Sequence, residues 1–188
     1  GTVTLPEGME IDLGSVAKGY AGQLAAQMLR EHGVQSALLN LGGNVQTVGA
    51  KPDGSPWQIG IKDPQGEDAM MVLSVEDQAV VTSGGYERYF EQDGQTYWHI
   101  MDPSTGHPAD SGLISVTIVG DEGVVCDGLS TALFVMGLEK AADLWAQSGD
   151  FEAVFVTASG EVYITEGLRD RFALTEQYAD TPVSVIER

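Results

Sequence analysis

The sequence has 188 residues, 43% of them hydrophobic, which is enough to close one substantial core. Its formal net charge is −19, from nine basic and 28 acidic residues, and such a surface repels the phosphates of a nucleic acid. Cys126 is the single cysteine, so neither an internal disulfide nor a cysteine-rich zinc cluster can form. The composition therefore argues against a nucleic-acid-binding protein and a disulfide scaffold, and predicts one acidic domain over residues 1–188.

The first residues of the chain bear on the expected extent of the intact protein. The chain begins at Gly1 rather than at methionine, in a segment, residues 1–9, that is typical of a strand and a turn. We therefore expect further sequence upstream in the intact protein. No apolar run approaches the roughly 18 to 20 residues that cross a bilayer, so we expect the chain itself to be soluble.

Two segments have the periodicity of a helix. The first has an apolar stripe at four-residue spacing, formed by Val16, Tyr20, Leu24 and Met28. This stripe predicts an amphipathic helix that ends at Gly33. A second helix is predicted over residues 127–147, with a break at Gly137.

Short apolar runs between turn residues predict a series of strands. They cover residues 37–48, with an interruption at Gly42-Gly43, and then 56–62, 70–82 as one or two strands, 86–90, 96–101, 113–119, 151–157 and 161–165. Asp93-Gly94 is a strong hairpin signal, and residues 168–172 are expected to form a short helix. Because hairpins dominate the connections, we expect an α+β fold, a mostly antiparallel sheet covered by two principal helices.

The segment from Asp12 to Gly19 is a glycine turn that leads into the first helix. Backbone N–H groups at a helix start can meet phosphate oxygens. Lys18 would add a positive charge, and Asp12 an acceptor for a ring N–H or a hydroxyl. The alternative is structural, with Asp12 capping the helix and Lys18 solvated.

Two further clusters contain paired glycines. Gly42-Gly43, within residues 39–44, would let the main chain approach a ligand, although a β-bulge explains the pair equally well. Residues 82–88 combine hydroxyls, a glycine pair and Arg88. That combination suits a phosphate, but by itself it predicts only a turn.

His99 lies three residues before the turn at Asp102-Pro103, at the end of a predicted strand. Strand ends often present reactive groups, and histidine transfers protons near neutral pH. A packed histidine beside an Asx turn is an equally good interpretation. His32, at a helix terminus, and His107 are expected to be structural.

Asp127 and Thr131 are four residues apart at the predicted start of the second helix, so their side chains share one helix face. A carboxylate and a hydroxyl placed together suit Mg²⁺, which prefers oxygen ligands and keeps positions open for water and phosphate. The alternative is an aspartate that caps its own helix, followed by hydroxyls bonded back to the backbone.

Together, these five clusters resemble the ApbE family, the flavin transferases that move FMN from FAD to a threonine or serine of a protein. The stretches that carry the resemblance are residues 12–21, 39–44, 82–88, 99–108 and 127–137. The resemblance extends from Ile11 to about Phe172 and implies a T-fold-like α+β domain. Family members also have an N-terminal portion that supplies much of the adenine and flavin pocket, so this chain would be the C-terminal part.

The resemblance implies a metal site. A main-chain oxygen of Ser15, the Asp127 carboxylate and the Thr131 hydroxyl are expected to bind Mg²⁺. Ser130 stands where some members have an aspartate and is expected to be a further metal ligand.

The resemblance also implies contacts to FAD by Asp12, Lys18 and Met101, the last through its backbone. His99 is the candidate that accepts the proton of the acceptor hydroxyl, and with the metal ligand Asp127 it completes the expected catalytic pair. Asp102 is expected either to orient His99 or to hold the turn.

The implied function is Mg²⁺-dependent cleavage of FAD, with FMN attached through a phosphoester bond to a Thr or Ser of an acceptor protein and AMP released. The alternatives are a Mg²⁺-dependent FAD pyrophosphatase, a module that binds FAD without turnover, and an acidic extracytoplasmic interaction domain. Because family members usually act outside the cytoplasmic membrane on a lipid anchor, we expect a periplasmic lipoprotein whose anchor lies upstream of Gly1.

Overall fold

The computed structural model describes residues 1–94 and 96–188 in full, and residue 95 by its backbone alone. Residues 1–16 contain turns and no strand, so the strand predicted within residues 1–9 is wrong. An extended segment becomes a strand only where another strand pairs with it, and no described strand does so here. None of the described helices has the length and apolar character needed to cross a membrane.

The described chain has three α-helices: α1 (Ala17–Glu31), α2 (Gly123–Met136) and α3 (Leu138–Ser148). Gly137 separates α2 from α3 with a φ of 79°, which glycine adopts without strain, so the predicted break is confirmed. This break divides the second predicted helix into α2 and α3, so the described chain has three α-helices where two were expected. α2 begins at Gly123, earlier than predicted, and this places Asp127 in its second turn.

The strands, in chain order, are β1 (Ala37–Leu41), β2 (Asn44–Val48), β3 (Trp57–Lys62), β4 (Ala69–Val75), β5 (Ala79–Gly84), β6 (Tyr89–Gln92), β7 (Gln95–Trp98), β8 (Met101–Asp102), β9 (His107–Pro108), β10 (Leu113–Gly120), β11 (Phe151–Thr157), β12 (Val162–Thr165), β13 (Phe172–Leu174) and β14 (Val183–Ile186). The run predicted over residues 37–48 is two strands, because Gly42 and Gly43 have φ of 60° and 88° and form a two-residue hairpin turn. The short helix predicted over residues 168–172 is instead a 3-10 turn at Glu166–Leu168, followed by β13.

A seven-stranded sheet in the order β1-β2-β5-β10-β11-β12-β14 forms the centre of the fold. All its neighbours are antiparallel except β12 and β14, which are parallel. A smaller antiparallel sheet has the order β13-β4-β3. The predicted α+β fold with a mostly antiparallel sheet is therefore confirmed.

The large sheet is buried on both faces. Ala79 and Val81 of β5 belong to the core shared with α2 and α3, whereas Val80 between them packs in the core shared with the small sheet. Side chains alternate along a strand, so successive residues of β5 belong to opposite cores. By the same alternation, Ser83 faces the helices and Thr82 faces away from them.

The apolar stripe of α1 does not face the core. Tyr20, Leu24 and Met28 are 55%, 44% and 61% exposed, and the buried positions are Gly19, Gly22 and Ala26. Small residues face inward because the helix backbone lies very close to α2 and β2. The helix itself is confirmed, but the stripe does not identify its buried face.

Candidate functional site

The candidate site lies where α1 meets α2. A Cβ atom placed on Gly19 would lie 2.2 Å from the Gly123 carbonyl oxygen and 2.6 Å from the Cβ of Asp127. No side chain fits in that space, so only glycine permits the approach. The first turn of α1 therefore rests directly on the first two turns of α2.

The Asp127 carboxylate is the most buried acidic group at this contact, with the residue only 5% exposed. Its Oδ2 accepts a hydrogen bond of 2.7 Å from the Gly19 N–H. Backbone donors in a first helical turn have no partner within their own helix, so Asp127 caps α1 from the neighbouring helix. The alternative in which Asp127 caps its own helix is wrong, since the N-cap of α2 is Glu122.

Burial raises the pKa of Asp127 above its ordinary value. The Gly19 N–H, the charge of Lys18 and the nearby amide of Asn44 act in the opposite direction by favouring the carboxylate. The Asn44 amide atoms are buried and have no partner at hydrogen-bond distance among the described residues, so their effect on Asp127 is weaker than that of the bonded Gly19 N–H. The carboxylate is thus buried, accepts one backbone hydrogen bond and has no ion-pair partner among the described residues, so a cation bound beside it would offset the cost of its burial.

Three hydroxyl groups form a hydrogen-bonded chain that ends on the backbone carbonyl of Asp127. Ser83, near the end of β5, has its Oγ 2.8 Å from Ser130 Oγ and 3.1 Å from Thr131 Oγ1. Ser130 is fully buried and its Oγ donates to the Asp127 carbonyl oxygen at 2.9 Å. Thr131 is partly exposed, so its hydroxyl is the more accessible of the two on α2.

The turn that enters α1 contributes a carbonyl oxygen. In the described chain, no backbone amide bonds the Ser15 carbonyl oxygen, because Gly19, the residue that a continuing helix would use, donates to Asp127 instead. The next residue, Val16, lies against α2, where a Cβ on Gly128 would be 3.4 Å from Val16 Cγ1. Ser15 is therefore held next to the turn of α2 that carries Asp127.

Asp12 and Lys18 flank this turn and are both exposed. Asp12 Oδ1 accepts a hydrogen bond of 2.5 Å from the Gly14 N–H, which closes an Asx turn. It does not cap the helix, whose N-cap is Val16. Lys18 Nζ lies 3.4 Å from the Gly42 carbonyl oxygen, so its ammonium group is placed between the start of α1 and the β1–β2 turn.

The two glycine pairs have different roles. Gly42-Gly43 forms the β1–β2 hairpin turn and not a bulge, and the space beside it is open. At the second pair that space is filled. A Cβ on Gly84 would lie 2.2 Å from the ring of Tyr86, and a Cβ on Gly85 would lie 2.9 Å from the ring of Trp98. This second pair therefore accommodates aromatic rings.

His99 is exposed and follows β7 directly, with Nδ1 3.3 Å from the Arg88 carbonyl oxygen. Among the described residues it contacts neither Asp127 nor Thr131. Asp102 bonds the N–H and hydroxyl of Ser104, so it holds its turn and does not orient His99. The Ser104 donors hold the pKa of Asp102 below its ordinary value.

Met101 and the other two histidines lie outside the α1–α2 contact. Met101 is 46% exposed and pairs with Pro108 in a two-residue bridge. His32 follows the last turn of α1 and bonds the Met28 carbonyl oxygen at 2.8 Å, as expected for a structural histidine. His107 is exposed, and its N–H donates to Thr105 Oγ1.

The groups at the α1–α2 contact that could bind a metal suit a hard cation. They are all oxygens: one carboxylate, hydroxyls and a carbonyl whose usual backbone partner is engaged elsewhere. The described residues contain no group of three or more His, Cys, Asp or Glu side chains that would hold a metal. Such a set fits Mg²⁺, which uses few protein ligands and completes its shell with water and phosphate, and does not fit zinc.

Sequence reasoning missed three residues of this site: Gly19, Asn44 and Ser83. Each stood within a recognised cluster, but its role depends on a partner far away in the chain. Gly19 bonds Asp127, and Ser83 bonds residues of α2. The signal was weak, since a glycine or serine at a turn usually has only a local role.

Comparison with known proteins shows matches over most of the chain. The family model described as the ApbE family matches residues 2–155. The FAD:protein FMN transferase of Klebsiella pneumoniae is 42% identical over 168 residues, which are 88% of this chain and 51% of that protein. The one from Treponema pallidum is 40% identical over 181 residues, 90% of this chain and 50% of that protein. The chain spans about half the length of these relatives.

Solved structures show the same fold. The ApbE protein of Thermotoga maritima superposes with a TM-score of 0.81 at 40% identity, covering 88% of this chain and 54% of that one. The flavin transferase ApbE of Vibrio cholerae superposes with a TM-score of 0.74 at 30% identity, covering 86% and 52%.

Proposed function

Because the chain belongs to the ApbE family, we propose that it is the metal-binding part of a flavin transferase. This enzyme would cleave FAD, attach FMN through a phosphoester bond to a Thr or Ser of an acceptor protein, and release AMP. One observation supports the proposal: the Asp127 carboxylate accepts the Gly19 N–H, which leaves the Ser15 carbonyl oxygen without a backbone partner, and Thr131 follows Asp127 by about one turn of α2.

Mg²⁺ is the cofactor that we propose for this site, held by the Ser15 carbonyl, the Asp127 carboxylate and the Thr131 hydroxyl. When bound there it would neutralise charge on the pyrophosphate of FAD and on the leaving AMP. The prediction that Ser130 is a ligand stays a prediction. Its hydroxyl already donates to one protein oxygen and lies within hydrogen-bond distance of another, so it has the least to offer a metal.

We propose that residues at the start of α1 orient the phosphates. Lys18 supplies a positive charge in a strongly acidic protein, and its own backbone N–H, in the first turn, has no backbone partner in the described chain. Both groups favour a phosphate at the helix start. Among the described residues only Oδ1 of Asp12 accepts a hydrogen bond, so we propose that its other carboxylate oxygen accepts one from a ring N–H or a hydroxyl of the nucleotide.

His99 is the candidate proton acceptor. If Nδ1–H donates to the Arg88 carbonyl, Nε2 carries the lone pair and faces away from that bond. The acceptor oxygen would attack the phosphorus joined to riboflavin as the pyrophosphate P–O bond breaks. AMP then leaves with the electron pair, and the hydroxyl proton passes to Nε2. Met101, two residues further on, is proposed to contact FAD through its backbone.

We also propose that the intact protein acts outside the cytoplasmic membrane on a lipid anchor borne by a segment upstream of Gly1. The acidity of the chain is compatible with that location. The acceptor would be a flavoprotein subunit with a short Thr/Ser flavinylation motif. Its identity can be sought by mass spectrometry of flavin-labelled proteins in cells that express the intact protein.

The test is an incubation with FAD, Mg²⁺ and an acceptor domain that the Vibrio cholerae relative flavinylates, followed by intact-mass analysis. The chain is tested both alone and fused behind the upstream half of the Thermotoga maritima relative. A mass gain of one FMN on the acceptor is expected, and Asp127→Asn should abolish it. Asp121→Asn is the matched control, since Asp121 is a carboxylate outside the site that bonds Gln78.

The outcomes separate the candidate functions. Free FMN and AMP without labelled acceptor would show a pyrophosphatase, and bound but intact FAD would show a binding module. Equal transfer by Asp127→Asn and Asp121→Asn would overturn the site. Undiminished transfer by His99→Ala would remove only His99 from the mechanism.

A further inference from the structure

Ser83 is the only residue outside α2 whose side chain touches the hydroxyls next to Asp127, among the residues that the structure describes. It lies near the end of β5 on the helix-facing side, after the apolar positions Ala79 and Val81 on the same face. The residue is only partly buried, so burial alone does not account for the direction of its hydroxyl. Its partners are Ser130 Oγ at 2.8 Å and Thr131 Oγ1 at 3.1 Å.

The positions of the three hydroxyl hydrogens follow from these contacts. Each hydroxyl has one hydrogen to donate. Ser130 donates its hydrogen to the Asp127 carbonyl oxygen, which can only accept. Ser83 must then donate to Ser130, and Thr131 must donate to Ser83. Only this arrangement makes all three contacts hydrogen bonds.

This order has a consequence for Thr131. Its hydrogen points to Ser83, so the lone pairs of Thr131 Oγ1 point elsewhere and are available to a cation. The chain ends on the backbone of Asp127, the residue that carries the carboxylate, and Ser130 in its middle is fully buried. The Thr131 hydroxyl is therefore tied to the backbone of Asp127, while the Asp127 carboxylate is held separately by the Gly19 N–H.

We propose that Ser83 is a positioning residue of the metal site, which accepts the Thr131 hydrogen and so presents the Thr131 oxygen to the cation. The proposal rests on the proposed function, because it takes Thr131 as a metal ligand. Ser83 itself does not contact the metal. Groups that orient a ligand in this way typically change metal affinity by about 10- to 100-fold when they are removed.

The matched control is the neighbouring residue of the same strand. Thr82 Oγ1 lies 2.8 Å from Thr117 Oγ1 of β10, a hydroxyl pair of the same kind on the opposite face. Thr82→Val removes one hydroxyl–hydroxyl contact from β5, and Ser83→Ala removes two. Only Ser83→Ala removes contacts that reach α2.

The experiment measures Mn²⁺ binding to the 188-residue chain by electron paramagnetic resonance at physiological salt. Only the affinity of the site that Asp127→Asn abolishes is compared between the variants. Ser83→Ala is expected to weaken this site by about tenfold or more, with Thr82→Val within about twofold of the wild type. Ser83→Thr, which keeps the hydroxyl at a strand position that suits a β-branched residue, is expected to retain most of the affinity.

Each other outcome overturns the proposal. Unchanged affinity in Ser83→Ala shows that Thr131 needs no partner, and equal losses in Ser83→Ala and Thr82→Val show a general effect on the sheet. A loss in Ser83→Thr as large as in Ser83→Ala shows that the hydroxyl is not responsible. If Asp127→Asn removes no Mn²⁺ from the wild-type chain, the metal site itself fails, and this outcome is recognised before any Ser83 variant is compared.

Discussion

The Gly19 N–H donates to the Asp127 carboxylate across 2.7 Å, and this hydrogen bond joins the start of α1 to the second turn of α2. The two residues are 108 positions apart in the chain. The bond uses a backbone donor that has no partner in its own helix and a carboxylate that is buried. It also leaves the Ser15 carbonyl oxygen without a backbone partner. One contact therefore joins two helices and leaves an oxygen atom available at the candidate site.

Gly19→Ala is expected to destabilise the chain by about 1 to 3 kcal/mol and to weaken metal binding, because the new methyl group would overlap the Gly123 carbonyl and Asp127 Cβ. Urea unfolding gives the free energy of unfolding. Gly60→Ala is the control, since its Cβ would meet only Ala69 Cβ at an ordinary 3.4 Å. Similar stabilities for the two variants would show that α1 and α2 can separate at little cost.

Asp127→Asn is expected to leave the metal-free chain as stable as the wild type, or more stable, near neutral pH. Burial raises the pKa of Asp127 in the folded chain, so folding favours the protonated form and the ionised carboxylate lowers stability. The advantage of the variant should shrink as the pH falls through the folded pKa, where the wild-type group is protonated too. Thermal unfolding in a chelator across that range measures the difference. A variant less stable at neutral pH would contradict the account.

Asp77 should stabilise the chain in the opposite pH range. The Gly49 N–H and the Arg30 guanidinium hold the pKa of Asp77 below its ordinary value. Asp77 therefore adds to the free energy of unfolding above its pKa in the unfolded chain, and this contribution is lost as the pH falls through its lower pKa in the folded chain. Asp77→Asn tolerates the left-handed φ of 54° but removes the charge. Because the ion pair is half exposed, we expect a loss of about 1 kcal/mol or less near neutral pH, which disappears in acid.

The control for Asp77 is the surface pair of Lys62 and Glu67, in which the Glu67 side chain is 94% exposed. Glu67→Gln should have almost no effect on the free energy of unfolding at any pH. A loss in Asp77→Asn that persists unchanged in acid would mean that the charge is not its cause.

The sequence was sufficient for features that depend on local chemistry. Gly137 breaks the second helix, and Asp93-Gly94 joins β6 to β7, because positive φ at these positions suits glycine and aspartate. Features that depend on distant partners were not predictable in this way. The stripe of Tyr20, Leu24 and Met28 correctly indicated a helix, but close contact with α2 selects the glycines of α1 for its buried face.

The site shows the same division. Asp127 and Thr131 were recognised because their four-residue spacing places both on one helix face. That Asp127 caps α1, and that Ser83 bonds Thr131, depends on how β5, α1 and α2 pack together. No local pattern encodes that packing, so the sequence predicts Asp127 and Thr131 as candidate ligands but not the residues that hold them.

Anomalous diffraction from crystals grown with Mn²⁺ and FAD tests the central claim most directly, because Mn²⁺ replaces Mg²⁺ and can be located by its own signal. We predict one Mn²⁺ peak within metal–oxygen bonding distance of the Asp127 carboxylate, Thr131 Oγ1 and the Ser15 carbonyl oxygen. That distance is about 2.1 Å for Mg²⁺. Phosphate oxygens of FAD are expected to complete the coordination shell. A well-ordered crystal with Mn²⁺ and nucleotide bound elsewhere, and none between α1 and α2, would contradict the account.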